Sequence, residues 1–372
     1  MSTLAAEFTE RLILDGTKIA HHLDRVRAWE RGERIAPITI DMALNQKCNY
    51  ACGFCYMQLQ KQERMERITV EAAIQFIEDC AEIGVRGVSL VSDGESTMHP
   101  AYVPFIQRGA ELGIDMASGT NAYIFDEPML EQVLPHLTYL RVNFSAGERQ
   151  RYAEIMGTKP ASFDRVCDNI RMMVRIRERD GLPVTLGIQM VLMPQDADQI
   201  LPFAKLGREL GVQYAVIKHC SDDEFGTLGV DYQGYERLYD LLREAEMLST
   251  ADYQVTAKWS KIEAKGKRSY QRCYGPPFIL QVSGSGLVAP CGMLFNERYK
   301  ADFHIGNIVT ERFRDIVRSD RYWEVMERLA SPAFDAQTMC GTLCLQHKTN
   351  EALDRHVKGL EILSEPRHVN FI

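Results

Sequence analysis

From Ile38 onward, apolar runs of strand length alternate with longer stretches whose apolar residues recur at helical spacing. The runs near 38–44, 87–91, 114–118, 138–144, 184–192 and 212–218 predict strands. The stretches near 69–84, 100–112, 127–136, 161–179 and 198–210 predict helices. This alternation implies an α/β fold with a parallel sheet and right-handed crossovers. Periodicity leaves open whether the sheet is flat or bent into a partial barrel. In either form the active site lies beyond the carboxyl ends of the strands, so the residues just after each strand are the candidates for chemistry.

Two segments depart from this rhythm. Residues 1–37 read as a helical lead-in, with Leu12, Ile13, Ile19, Leu23, Val26 and Trp29 set among charges. After about residue 250 the pattern shortens to strand-like runs at 253–259, 278–282 and 287–289, the last two joined as a hairpin by Ser283-Gly284-Ser285-Gly286. The expected division is a lead-in at 1–37, a main domain at 38–250, a small α+β domain at 251–350 and a tail at 351–372.

Composition narrows the class. The 372 residues are 45% hydrophobic and 25% charged, as in a soluble globular protein, and the net charge of -8 gives no basic footprint for nucleic acid. No apolar run reaches membrane-spanning length, and the N-terminus lacks a signal-like apolar region, so a cytoplasmic location is expected. Ten cysteines in a reducing compartment point to metal ligands before disulfides.

Three of those cysteines, Cys48, Cys52 and Cys55, fall within eight residues directly after the first strand. Three thiolates on one tight loop can hold three corners of a cubane iron–sulfur cluster and leave the fourth iron open to a small molecule. Structural zinc sites more often pair two separate two-ligand knuckles. The loop resembles the C-x3-C-x-φ-C signature of the radical S-adenosylmethionine (SAM) enzymes, with Phe54 in the aromatic place. The resemblance implies a partial (β/α)6 TIM-like barrel, a [4Fe–4S] cluster and SAM bound to its open iron.

Other strand ends extend the resemblance. Ser92-Asp93-Gly94-Glu95 is similar to the family's Gly-Gly-Glu segment, which holds the SAM amino group, with Asp93 replacing the first glycine. Gly119-Thr120-Asn121 resembles a Thr-Asn-Gly turn with Ala122 in place of glycine, and Asn143 and Ser145 stand where the family binds ribose. Gln189 is a polar residue in an apolar run, so it needs a partner that a ligand could supply. At the sixth strand end, Lys218, His219 and Cys220 are candidates for substrate contact by location alone. Cys80 and Cys167 fall in line with apolar residues at helical spacing and read as core.

Cys273, Cys291, Cys340 and Cys344 come from separate loops in the small domain and suit a closed four-thiolate site, iron–sulfur or zinc. Their spacing, with Gly286 before Cys291 and Ile305-Gly306-Asn307-Ile308 after it, resembles the SPASM and twitch auxiliary-cluster domains. With no cysteine after Cys344, the shorter twitch type with one auxiliary [4Fe–4S] cluster is implied.

The resemblance implies reductive cleavage of SAM to a 5′-deoxyadenosyl radical, which removes a hydrogen atom from substrate. The electron donor would be a protein such as flavodoxin or ferredoxin. An auxiliary cluster suits oxidation, whereas hydrogen return by Cys220 would give an epimer. The expected substrate is a small polyhydroxylated molecule (a sugar, aminocyclitol or nucleoside-like compound). Peptide-modifying relatives often carry a further recognition domain, so a ribosomal peptide is the second choice. A non-catalytic electron-transfer or zinc-scaffold protein would need only the seven cysteines.

Overall fold

A computed structural model describes residues 17–62, 66–342 and 344–360. Its sheet is built around β1 (Thr39–Met42), β2 (Gly87–Leu90), β3 (Asp115–Thr120), β4 (Leu137–Asn143), β5 (Thr185–Leu192) and β6 (Tyr214–His219). These six strands lie side by side in chain order, all parallel. Intervening helices include Val70–Ile83, Tyr102–Glu111, Pro160–Arg179 and Ile200–Glu209. The arrangement is the partial (β/α)6 barrel.

Local chemistry explains the helix limits. Thr69 accepts a hydrogen bond from Ala72 N at 3.1 Å and starts the helix Val70–Ile83, and Gly84 ends it in the left-handed region at φ 87°. Ala73, Phe76, Ile77 and Cys80 form its buried stripe. Cys167 is likewise buried in the core. The helix expected at 127–136 runs only from Glu127 to Val133 before a 3₁₀ turn, Leu134–His136, because Pro135 cannot continue it. The helix Arg149–Ile155 had no counterpart in the pattern and precedes Gly157 at a left-handed φ of 59°.

The sheet does not stop near residue 250. The run expected at 253–259 becomes β7 (Gln254–Ala257), which pairs in parallel with β6, while Trp259 opens a short helix, Trp259–Ile262. The hairpin strand β8 (Ile279–Val282) pairs in parallel with β1 at the opposite edge. β9 (Leu287–Ala289) and β10 (Gly306–Asn307) then continue antiparallel. A one-dimensional pattern identifies a strand but not the edge that receives it.

Within the strands, apolar side chains such as Ile40, Val88, Leu140, Ile188 and Ile217 pack on one face against the helices. The alternate positions, including Asp41, Ser89, Tyr139, Arg141, Gln189 and Lys218, face the barrel interior. A second core of Tyr270, Leu294, Phe303, Val325, Leu329 and Phe334 supports the later cysteines. The helix His347–Val357 reaches the lead-in, where His356 approaches Glu30 at 3.1 Å. Leu12, Ile13 and the end of the expected tail, including His368, lie outside the described residues. No described helix is long and apolar enough to cross a membrane.

Candidate functional site

The loop carrying Cys48, Cys52 and Cys55 leaves β1 and is held by backbone on two sides. Ala51 N donates to Gly157 O at 3.3 Å and Gly53 N to Ile155 O at 3.2 Å. A Cβ on Gly157 would stand 2.1 Å from Ala51 O, so only glycine permits this approach. On the other side, Glu95 N donates to Lys47 O at 2.8 Å.

Burial raises all three thiol pKa values, and for Cys48 and Cys52 neighbouring thiols push the same way. Bound iron would reverse that direction by stabilising thiolate. Among the described residues no three His, Cys, Asp or Glu side chains converge as ligands of one metal ion. Thiolates that take separate irons of a cubane stand farther apart than ligands of one ion.

The strand-end residues form a hydrogen-bonded rim. Ser92 Oγ is buried without a partner among the described residues. Gly94 lies against Asn45 O. Asp93, in place of the family's glycine, accepts from Ser283 Oγ at 2.7 Å and Gly284 N at 2.8 Å, and so ties the second strand end to the later hairpin. Glu95 Oε1 accepts from Thr97 Oγ1 and Thr120 Oγ1, both at 2.7 Å, and Oε2 accepts from Asn121 N at 2.8 Å. Its carboxylate therefore organises the rim. Asn121 Nδ2 donates to Asn49 Oδ1 at 2.7 Å and stands 3.9 Å from Cys48 Sγ. Gln189 finds its partner within the protein, donating to Asn143 Oδ1 at 2.9 Å, while Ser145 Oγ accepts from Val191 N at 3.1 Å.

The sixth strand end separates its three candidates. Lys218 points into the barrel, whereas His219 packs on the other face beside the Tyr232 and Tyr235 rings, 5.9 and 6.3 Å away. Burial drives the His219 pKa well below its ordinary value, so it is neutral there. Cys220 Sγ lies 3.6 Å from Phe54 O, beside the first cysteine loop, with its thiol pushed up to about 12 by burial. The following acids mainly fold their own loop: Asp222 accepts from Leu228 N, and Asp223 from Thr227 Oγ1.

Cys273, Cys291, Cys340 and Cys344 line one enclosed cavity with Arg268 and Asn350. Asn350 Nδ2 donates to Cys273 Sγ and Arg268 donates to Cys340 Sγ, each at 3.5 Å. Such donors stabilise thiolate. Thr342, between Cys340 and Cys344, bonds Asp222 in both directions, N to Asp222 O at 2.8 Å and Oγ1 from Asp222 N at 2.8 Å. This seam joins the second cysteine site to the Cys220 loop.

A family model for the radical SAM superfamily matches residues 42–206, and one for the SPASM iron–sulfur cluster-binding domain matches 273–344. The first span contains the three-cysteine loop, and the second begins and ends on cysteines. This is a radical SAM chain with a SPASM domain. The radical SAM chain is 24% identical over 328 residues to the AdoMet-dependent heme synthase of Methanosarcina barkeri (strain Fusaro / DSM 804), covering 82% of this chain and 88% of that protein. Streptococcus suis SuiB bound to S-adenosylmethionine shares its fold with a TM-score of 0.62 at 17% identity, over 80% of this chain and 70% of SuiB. Native anSMEcpe with bound AdoMet gives a TM-score of 0.55 at 14% identity, over 87% and 96%. The cofactors of this radical SAM enzyme are iron–sulfur clusters and SAM.

Around Lys218 the radical SAM barrel also contains Asp41, Arg141, Gln281 and Lys261, polar residues that sequence reasoning missed. Asp41 and Gln281 are paired neighbours on β1 and β8, and Asp41 is pushed up to about 7 by burial, against the pull of Arg141, Gln281 and Lys218. Lys218 is lowered to about 7 by burial and then by Arg141 and Lys261. Lys261 is lowered to about 8, chiefly by burial, and its Nζ donates to Cys344 O at 2.8 Å. Two strand periods held the signal, since Asp41 and Arg141 are charged residues at alternating positions of apolar strands.

Proposed function

We propose that this radical SAM enzyme removes a hydrogen atom from a small polyhydroxylated substrate held in the barrel interior, and that the substrate leaves oxidised. Cys48, Cys52 and Cys55 would hold the SAM-ligating [4Fe–4S] cluster. Cys273, Cys291, Cys340 and Cys344 would hold an auxiliary one. Both donor sets consist only of thiols, which suits iron–sulfur ligation. When bound, the clusters would supply one-electron chemistry: one would donate the electron that cleaves SAM, and the other would accept the electron that the substrate gives up as its hydroxyl proton passes to solvent.

The chain's own residues bind and orient. Phe54, Ser92, the Gly94 turn, Asn121, Asn143 and Ser145 would face SAM. Glu95 positions Asn121, and Gln189 positions Asn143. The polar interior offers substrate hydroxyls Tyr139, Ser89 and Gln281, while the surrounding helices exclude water.

One observation carries the oxidative reading. Lys261 interacts electrostatically with Lys218 and Arg141 on the barrel side, and its ammonium donates to the carbonyl of Cys344. Lys261 therefore links the barrel interior to the second cysteine site, which supports electron transfer between them over hydrogen return from Cys220. A one-electron donor such as flavodoxin or ferredoxin is the proposed partner.

The test is anaerobic incubation of reconstituted protein with SAM and dithionite. Wild type should release 5′-deoxyadenosine and Cys48→Ala should release none. No 5′-deoxyadenosine from reconstituted wild type would leave a non-catalytic electron carrier.

A further inference from the structure

We propose that the substrate is an anion, and that Arg141 and Lys218 inside the barrel bind its carboxylate or phosphate group. This rests on the reading that substrate occupies the barrel interior, and it narrows the substrate to an acidic or phosphorylated polyol.

The first observation is an imbalance of charge. Arg141, Lys218 and Lys261 act on one another in the interior, and Asp41 is the acid that faces Arg141 and Lys218. Neither Arg141 nor Lys218 has a side-chain hydrogen bond or ion pair among the described residues, and Arg141 Nε is buried without a partner. Elsewhere the chain pairs its arginines: Arg151 with Asp196 at 2.9 Å and Asp198 at 2.8 Å, and Arg108 with Glu78 at 2.8 Å. A half-buried cation whose inner nitrogen has no partner is costly, and an incoming anion lowers that cost.

The second observation is the setting of the guanidinium. Arg141 lies between Gly119 on β3 and Gly187 on β5 in the strand register, and Val91 fills the space beside Gly119, where a Cβ would stand 2.7 Å from its side chain. The Tyr214 ring covers the space beside Gly187, where a Cβ would stand 2.3 Å from it, and the Tyr139 ring lies 5.8 Å from the guanidinium. Val91, Tyr214 and Tyr139 thus wall a planar fork on the interior face of the sheet. That geometry suits the paired oxygens of a carboxylate or phosphate. Lys261 is already tied to Cys344 O, which leaves Arg141 and Lys218 as the anion's partners.

The carboxylate of SAM is the competing anion, and the experiment separates the two. Full-length reconstituted protein with SAM bound is titrated calorimetrically with gluconate, glucose 6-phosphate and glucitol. The anions should bind in preference to neutral glucitol, and the better of the two identifies carboxylate or phosphate. Arg141→Gln and Lys218→Met should each weaken anion binding about tenfold or more, as expected for one lost charge-assisted hydrogen bond. Both should keep wild-type SAM affinity. Arg141→Lys should recover part of the anion affinity, and the melting temperature of Arg141→Gln should equal or exceed that of wild type, since a cation with a buried, unpartnered Nε is removed.

Equal binding, or equal failure to bind, by all three probes would overturn the proposal. Weakened SAM binding in either variant would also overturn it and assign these cations to SAM. Loss of 5′-deoxyadenosine formation in wild type bears instead on the radical reading and leaves anion binding measurable.

Discussion

Asp41 shows how far the interior departs from ordinary side-chain chemistry. Its pKa is raised from 3.8 to about 7, first by burial. The folded chain then keeps a proton that the unfolded chain releases. Its stabilising contribution is complete below 3.8 and is lost as pH rises to about 7. Each unit between those values is worth about 1.4 kcal/mol as an upper bound. Denaturant midpoints measured at pH 5 and pH 7.5 should therefore fall for wild type and change less for Asp41→Asn. Equal slopes would remove Asp41 as the source. Cys220 gives a second residue-level test. If the product is a ketone, Cys220→Ala should turn over at close to the wild-type rate, and product made in deuterium oxide should carry no new carbon-bound deuterium. One deuterium in wild-type product, together with loss of product in the variant, would put the thiol into the reaction. Cys220 and Lys218 were visible as strand-end residues, but only side-chain direction separated both from His219.

The cysteine loop is an element whose sequence is local and whose support is not. Gly157 lies about a hundred residues away and accepts the Ala51 amide, with no space for a Cβ. Gly157→Val should displace the loop while leaving the helices folded by circular dichroism. Iron should drop from about eight to about four per reconstituted chain, since each cubane holds four. An unchanged iron count would show that the loop stands without this turn. Nothing local marked Gly157 for that role, because Met156-Gly157-Thr158 reads as an ordinary part of the link between a strand and a helix. Asp93 carries a related lesson. It stands in place of the family's first glycine, and its carboxylate clamps Ser283 and Gly284.

At the scale of the whole molecule, the barrel and the SPASM segment share one sheet. β7 covers the edge of β6 and β8 covers the edge of β1, while Trp29 packs edge-on against Tyr274 and Phe278 at 5.8 and 5.6 Å. A chain ending at residue 250 would expose both parallel edges and strip this aromatic contact. It should show no cooperative thermal transition and should aggregate on size-exclusion chromatography. A soluble fragment with a sharp transition would instead make the barrel independent. The amino-acid sequence by itself determined the order of strands and helices, the three-cysteine loop and the strand ends that resemble SAM contacts. Periods of two and 3.6 residues and cysteine spacing act over a few residues, so one dimension suffices to read them. Only the tertiary structure decided that 254–257 and 279–282 flank the barrel, that Glu95 and Gln189 already have protein partners, and that Lys261 reaches Cys344. Arg141 and Lys218 are far apart in sequence and meet because parallel strands in register bring alternate residues onto one interior face, while Lys261 joins them from the short helix after β7.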